Sequence, residues 1–291
     1  MSRKSPLTGI VLAGAAAMSF AANTATSPIA TEGGSNVLTF LVVRSVAAAL
    51  LVLTLLVWTG SSLRLAPRRR WAAFGVGTIL ALYSVALLSA IQFIPIALAV
   101  LIFYTFPILT TLFLWIRGRE RATWTAGIAL LVAFVGLVLA LDLGNPALDL
   151  RGIGLAALSA LGITTVVLLN SRLVGGGDSR PITLHMLSAA SIVFILVTAL
   201  LGDFALPDTA RGWWAFSIGP LFYAFAIVTL FIAMSILGPI RTSMTMNLEP
   251  VSSMVLGFLL LSQALGGLQI VGAALVIIAV LTIQRAKGEQ I

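Results

Sequence analysis

Apolar positions in this chain come in long unbroken runs, not in alternation with polar ones. The runs lie at about residues 8–28, 36–58, 72–90, 95–116, 123–141, 150–171, 181–201, 213–236, 240–262 and 266–285. Each is close to the ~20 residues that a helix needs to cross the hydrocarbon core of a bilayer. A spanning strand would alternate apolar and polar residues over about 10 positions. Short links of Gly, Pro and charged residues punctuate the runs. The pattern predicts an all-α membrane protein of ten transmembrane helices. Composition adds that 60% of residues are hydrophobic and 9% charged, against about 25% charged in a soluble domain. Too little polar surface remains for solution, and no gap is long enough for a second domain. Arg3 and Lys4, the apolar run after them and Ala15-Ala16-Ala17 also fit a secretory signal peptide. An internal repeat favours a true first helix.

That repeat has one ungapped register. Leu7-Thr8-Gly9-Ile10-Val11-Leu12-Ala13 resembles Leu150-Arg151-Gly152-Ile153-Gly154-Leu155-Ala156, an offset of 150 − 7 = 143. The same offset pairs Trp71 with Trp214, Ala90 with Ala233 and Pro107 with Pro250. The chain therefore divides into residues 1–143 and 144–291, each a five-helix repeat. Five is odd, so if the first half starts on one side of the membrane the second starts on the other. Two inverted five-helix repeats with a substrate site between them are a common design of secondary transporters.

Charge sets the expected orientation. With the N-terminus cytoplasmic, fourteen Lys and Arg residues fall on the inner side, and only Arg151 and Arg211 on the outer. Basic residues of short loops stay inside, so both termini are expected in the cytoplasm and the chain in the bacterial inner (plasma) membrane. Topology thus accounts for the net charge of +8, and no nucleic-acid partner is expected. The partners implied are the lipid bilayer and a small-molecule substrate; fusion of the halves removes any need for a dimer. Cysteine is absent and His185 is the lone histidine, so neither a metal site nor a cofactor is expected.

Several stretches resemble the drug/metabolite transporter superfamily, EamA-type branch. Arg241 to Pro250 is similar to that branch's ninth helix, and Phe103-Tyr104-Thr105-Phe106-Pro107 to its fourth. Gly118-Arg119-Glu120 resembles the Gly-Glu after the fourth helix, while Ser262-Gln263 departs from it in the second half. Gln269-Ile270-Val271-Gly272 resembles the start of the tenth helix. Within the branch, overall likeness is to YddG-type exporters, which implies export of aromatic amino acids.

Polar residues at membrane depth are the candidate site, because their burial costs several kcal/mol unless paired. Glu249 lies about nine residues into the ninth run and is the deep carboxylate, a candidate proton-coupling group or a partner for an ammonium; its ordinary reading is a structural acceptor beside Pro250. Asn247, suited to a zwitterion because an amide both donates and accepts, otherwise bonds a neighbouring helix. On a continuous helix Asn247 and Glu249, about 200° apart, would face opposite ways. Pro107 and Pro250 are expected helix breaks at the site, or plain packing kinks. Tyr83, Tyr104 and Tyr223, away from the interface that tyrosine favours, with Phe103, are candidate cavity walls or core. Asn23 is a further candidate. Arg44, deep in the second run, has the chemistry to attract a carboxylate but reads as structural, since long cationic chains snorkel. His185 reads as interfacial, and Trp71, Trp213 and Trp214 as interface anchors.

The expected function is alternating-access export of small amphipathic metabolites, aromatic amino acids first, through a central cavity between the repeats. Cationic drugs, nucleosides or other metabolites are the alternative cargo, and an uncoupled channel-like facilitator the alternative mode. An enzyme is disfavoured. There is no pair of deep aspartates, no deep Ser with a His partner, and Gly175-Gly176-Gly177 lacks the Lys-Ser/Thr of a phosphate loop.

Overall fold

The computed structural model describes residues 5–94, 96–119, 123–141, 149–174, 178–261 and 266–286. Expectations placed on Arg3, Lys4, Glu120, Gly175-Gly176-Gly177 and Ser262-Gln263 lie outside them. The described residues form helices and no strand. In order these are α1 (Pro6–Glu32), α2 (Val37–Trp58), α3 (Pro67–Ala90), α4 (Ile96–Phe103), α5 (Phe106–Ile116), α6 (Trp124–Ala140), α7 (Leu150–Val174), α8 (Arg180–Leu201), α9 (Ala210–Leu237), α10 (Pro239–Thr245), α11 (Leu248–Leu261) and α12 (Gly267–Ala286). Among the described residues, eight stretches are long and apolar enough to cross a membrane, with α4 and α5 counted together. α6 is apolar but shorter. The fourth and ninth runs, which carry the expected breaks at Pro107 and Pro250, are each split in two.

The repeat is visible in where helices begin. α2 and α8 start at 37 and 180, α3 and α9 at 67 and 210, α4 and α10 at 96 and 239, α6 and α12 at 124 and 267. Each difference is 143, the register found in the sequence. Equivalent links lie at opposite ends of the bundle. The α1–α2 turn is tied to the α8–α9 loop: Asn36 Nδ2 donates to the Asp203 carboxylate at 2.7 Å, and the Asp208 N–H to the Gly33 carbonyl at 2.8 Å. At the other end, Arg180 donates to the Thr59 and Ser61 hydroxyls, both at 3.0 Å, and Arg69 to the Leu173 carbonyl at 2.8 Å. The α2–α3 link therefore meets the α7–α8 link, not its own counterpart.

The halves interlock. α1 packs most extensively on α9, α7 on α3, α6 on α12, and α2 on α8 and α9, whereas α1 touches α2 only lightly. Small residues make this possible, as they do where lipid leaves no hydrophobic drive between helices. α1 buries Ala13, Ala16, Ala17 and Ala21 completely. Gly33 and Gly212 meet backbone to backbone, and a Cβ on Gly33 would stand 2.4 Å from the Gly212 Cα. Gly9 and Gly152, the equivalent glycines of the repeat motif, sit against Leu237 of α9 and Phe93 just past α3. α1, the segment to which the signal-peptide alternative applied, is part of this core. Outward positions carry Leu, Ile, Val and Trp, with Trp71, Trp213 and Trp214 among the exposed residues.

Candidate functional site

The two breaks are built alike. At the first, the Thr105 N–H donates to the Ile102 carbonyl at 3.1 Å, and the Thr105 hydroxyl donates to the same carbonyl at 2.7 Å. At the second, the Asn247 N–H donates to the Met244 carbonyl at 3.1 Å, and Asn247 Nδ2 donates to it at 3.0 Å. A side chain thus helps to satisfy a carbonyl at which the helical ladder stops. The breaks fall just ahead of Pro107 and Pro250, which then occupy the first turns of α5 and α11, where a missing N–H costs nothing. Tyr104 and Asn247 consequently sit in the turns themselves, not inside helices. The 200° rotation expected between Asn247 and Glu249 does not apply, because no continuous helix joins them. Glu249 lies in the first turn of α11, where orphan N–H groups and the helix dipole favour a carboxylate.

Around the breaks the aromatic candidates come together. Tyr83 of α3 and Phe103 of α4 have ring centroids 5.9 Å apart, and Phe103 meets Tyr104 edge-on at 5.5 Å. The Tyr104 hydroxyl and the Glu249 carboxyl lie within interaction range of each other, and α10 packs on α5, so the two breaks come together. The Arg44 guanidinium of α2 lies over the Tyr223 ring of α9, 4.4 Å from its centroid, and Phe20 of α1 meets Tyr223 edge-on at 5.7 Å. Arg44 is also within electrostatic range of both Tyr83 and Glu249. Tyr83 is set in place by α7: Ser159 Oγ donates to the Tyr83 carbonyl at 2.9 Å, and Gly162 lies so close that a Cβ there would be 2.5 Å from the tyrosine's own Cβ. Arg44, Tyr83, Phe103 and Glu249 are half-buried, whereas Tyr104 and Tyr223 are buried.

The remaining candidates are placed differently. Asn247 is buried and its amide nitrogen is spent on Met244. Asn23 is buried one turn along from Phe20, and its Oδ1 accepts no hydrogen bond. His185 Nδ1 is 2.8 Å from the Pro181 carbonyl of its own helix, and its ring meets Phe74 edge-on. Sequence reasoning passed over Phe20, which carried no signal, being one phenylalanine in an apolar run; Arg44 was weighed, as a charge deep in such a run, and read as structural. A cavity of about 320 Å³ lies away from this cluster, where α5, α7 and α9 end and α10 begins, with Arg119 and Arg172 in its wall.

The family model of the EamA-like transporters matches residues 7–141 and again residues 150–285. The chain belongs to the EamA-like transporter family. It is therefore a multi-pass membrane protein, a transporter of the drug/metabolite type, with the EamA unit present twice; the family is one of transporters, not enzymes. The two matched stretches follow the structural repeat. No curated protein matches the chain. One solved structure, described only as the crystal structure of a protein, is similar in fold: the TM-score is 0.75 at 19% identity, over 97% of this chain and 98% of that one.

Proposed function

We propose that this EamA-like transporter exports small amphipathic metabolites, aromatic amino acids first among them, from the cytoplasm of a bacterium. It does so by alternating access, the two repeats rocking about the aromatic cluster. In this reading the chain makes ten spans in the inner membrane, the split helices α4–α5 and α10–α11 counting as one span each. Both termini are cytoplasmic, since the end bearing Arg64, Arg68, Arg69, Arg70, Arg172 and Arg180 is the basic one and basic ends stay inside.

The observation that carries the reading is the meeting of two helix breaks, one from each repeat, amid aromatic rings, with Tyr104 and Glu249 in interaction range. Broken helices at the repeat interface are where transporters bind substrate, and aromatic faces suit an aromatic cargo. Tyr83, Tyr104, Tyr223 and Phe103 would hold the ring, with Asn23 offering an acceptor and Asn247 holding the second break in shape. Glu249 would couple export to protons. The test is counterflow: uptake of labelled tryptophan into proteoliposomes preloaded with unlabelled tryptophan, against alanine-loaded and protein-free vesicles. Specific uptake supports a carrier for aromatic amino acids; its absence in folded protein sinks that assignment.

A further inference from the structure

We propose that Arg44 is the anchor for a carboxylate of the transported molecule, so that the site accepts aromatic carboxylates and zwitterions and rejects aromatic amines and lipophilic cations. The inference rests on reading the aromatic cluster as the substrate site. It adds a recognition chemistry that the cluster's rings alone do not supply.

Three features of Arg44 carry it. Its guanidinium carbon lies over the Tyr223 ring, 4.4 Å from the centroid. A ring face attracts the cation but accepts few of its five N–H donors. One of them, Nε, is buried and makes no hydrogen bond. Buried polar groups are nearly always satisfied, so an open donor within electrostatic range of half-buried Tyr83 and Glu249 calls for an acceptor. The carboxylate across from it is not that acceptor. Arg44 and Glu249 lie within electrostatic range, yet the ion pairs among the described residues are Arg151–Asp149 and Arg180–Asp178.

The chemistry follows from the fork geometry. A planar guanidinium binds a carboxylate through two parallel hydrogen bonds and holds its charge under all physiological conditions. An amino acid would lay its carboxylate on Arg44 of the first repeat, with its ammonium toward Glu249 of the second and its ring against Tyr83 and Phe103. A cation without a carboxylate would leave the Arg44 fork without its two acceptors and bring a second positive charge into surroundings that screen it poorly. Discrimination then comes from repulsion as much as attraction.

The test is a series with one ring and different charges: phenylalanine, 3-phenylpropionate and 2-phenylethylamine. Each is scored by the shift in melting temperature of the purified protein and by competition in the counterflow assay. Phenylalanine and 3-phenylpropionate are expected to stabilise the protein at concentrations roughly tenfold below any at which 2-phenylethylamine acts, a tenfold gap in affinity. Arg44→Gln should abolish that preference and Arg44→Lys should keep part of it, since the charge remains without the fork. Should either variant fail to fold, the wild-type series decides alone. Equal binding of amine and carboxylate, or binding of neither, overturns the proposal. Carboxylate-selective stabilisation without any counterflow would retain Arg44 as an anchor and sink the transport reading. Counterflow blocked equally well by the amine would do the reverse.

Discussion

The broken helices α4–α5 and α10–α11 are one backbone device filled with two chemistries. Each stops on an N–H to carbonyl bond of 3.1 Å, each adds a side-chain donor to that carbonyl, and each resumes with proline in the first turn. The first is surrounded by Phe103, Tyr104 and Phe106; the second carries Met246, Asn247 and Glu249. Duplication kept the scaffold, and substitution divided the labour between an apolar wall and a polar contact. On the proposed function, the outcome is a site with direction, suited to a molecule that has one apolar and one charged end.

The comparison can be broken most severely through the frame that both halves share. α6 and α12 occupy equivalent positions and pack on each other, with a Cβ on Gly272 falling 2.4 Å from the Ala140 nitrogen and 2.5 Å from the Gly136 carbonyl oxygen. Gly272→Val should therefore lower stability by about 3 kcal/mol, the upper end for overpacking, read as a fall in melting temperature. Gly75→Val, with nothing within 4 Å of its Cβ, should leave it unchanged. Next is the polar break. Glu249→Gln removes a charged acceptor, a change of about 1.5–3 kcal/mol, so counterflow should fall about ten- to a hundredfold. An unchanged rate and pH dependence would strip Glu249 of its coupling role. Asn247→Ala leaves the buried Met244 carbonyl short of a donor and should cost about 1–2 kcal/mol. Thr105→Val should cost less, because Thr105 is only half-buried; equal losses would argue that the two breaks are held alike. Tyr104→Phe, which removes the hydroxyl in range of Glu249, should raise KM roughly fivefold for an interaction of about 1 kcal/mol.

The smallest effect concerns how the two halves begin. Ser5 accepts from the Leu7 N–H at the head of α1, and Asp149 from the Arg151 N–H at the head of α7. The Asp149 carboxyl is held below its ordinary range by its hydrogen bonds to the Arg151 side chain and backbone. A lowered folded value contributes stability that is present above the ordinary carboxylate range and is lost as pH falls through it. Melting temperature should therefore dip slightly on acidification below about pH 4, and less so in Asp149→Asn.

Much of the fold was legible in the sequence because lipid imposes a simple grammar. Run length gave the helices to within a few residues, and the offset of 143 that pairs Pro107 with Pro250 reappears in the helix starts. The breaks themselves were less legible. Proline marked the right helices, but the chain departs from helical geometry ahead of it, at Tyr104–Thr105 and Met246–Asn247, so a rotation computed for an ideal helix does not carry from Asn247 to Glu249. Arg44 was read as a snorkelling cation because hydropathy gives depth and not direction; only the packing of α2 on α9 shows that it turns toward Tyr223. Phe20 was invisible for the same reason.

The interlocking of the halves also has a consequence for how the protein is made. α1 begins at residue 6 and its main partner α9 at residue 210. At about 5–20 residues per second of synthesis, the nascent first helix waits roughly 10–40 s in the bilayer before that partner emerges. During this interval the alanine face of α1 and the unpaired oxygen of Asn23 have only lipid or a neighbour of the same half to rest against. Assembly is thus postponed until the second repeat is made, and a chain that stops after α6 leaves α1 without its main partner.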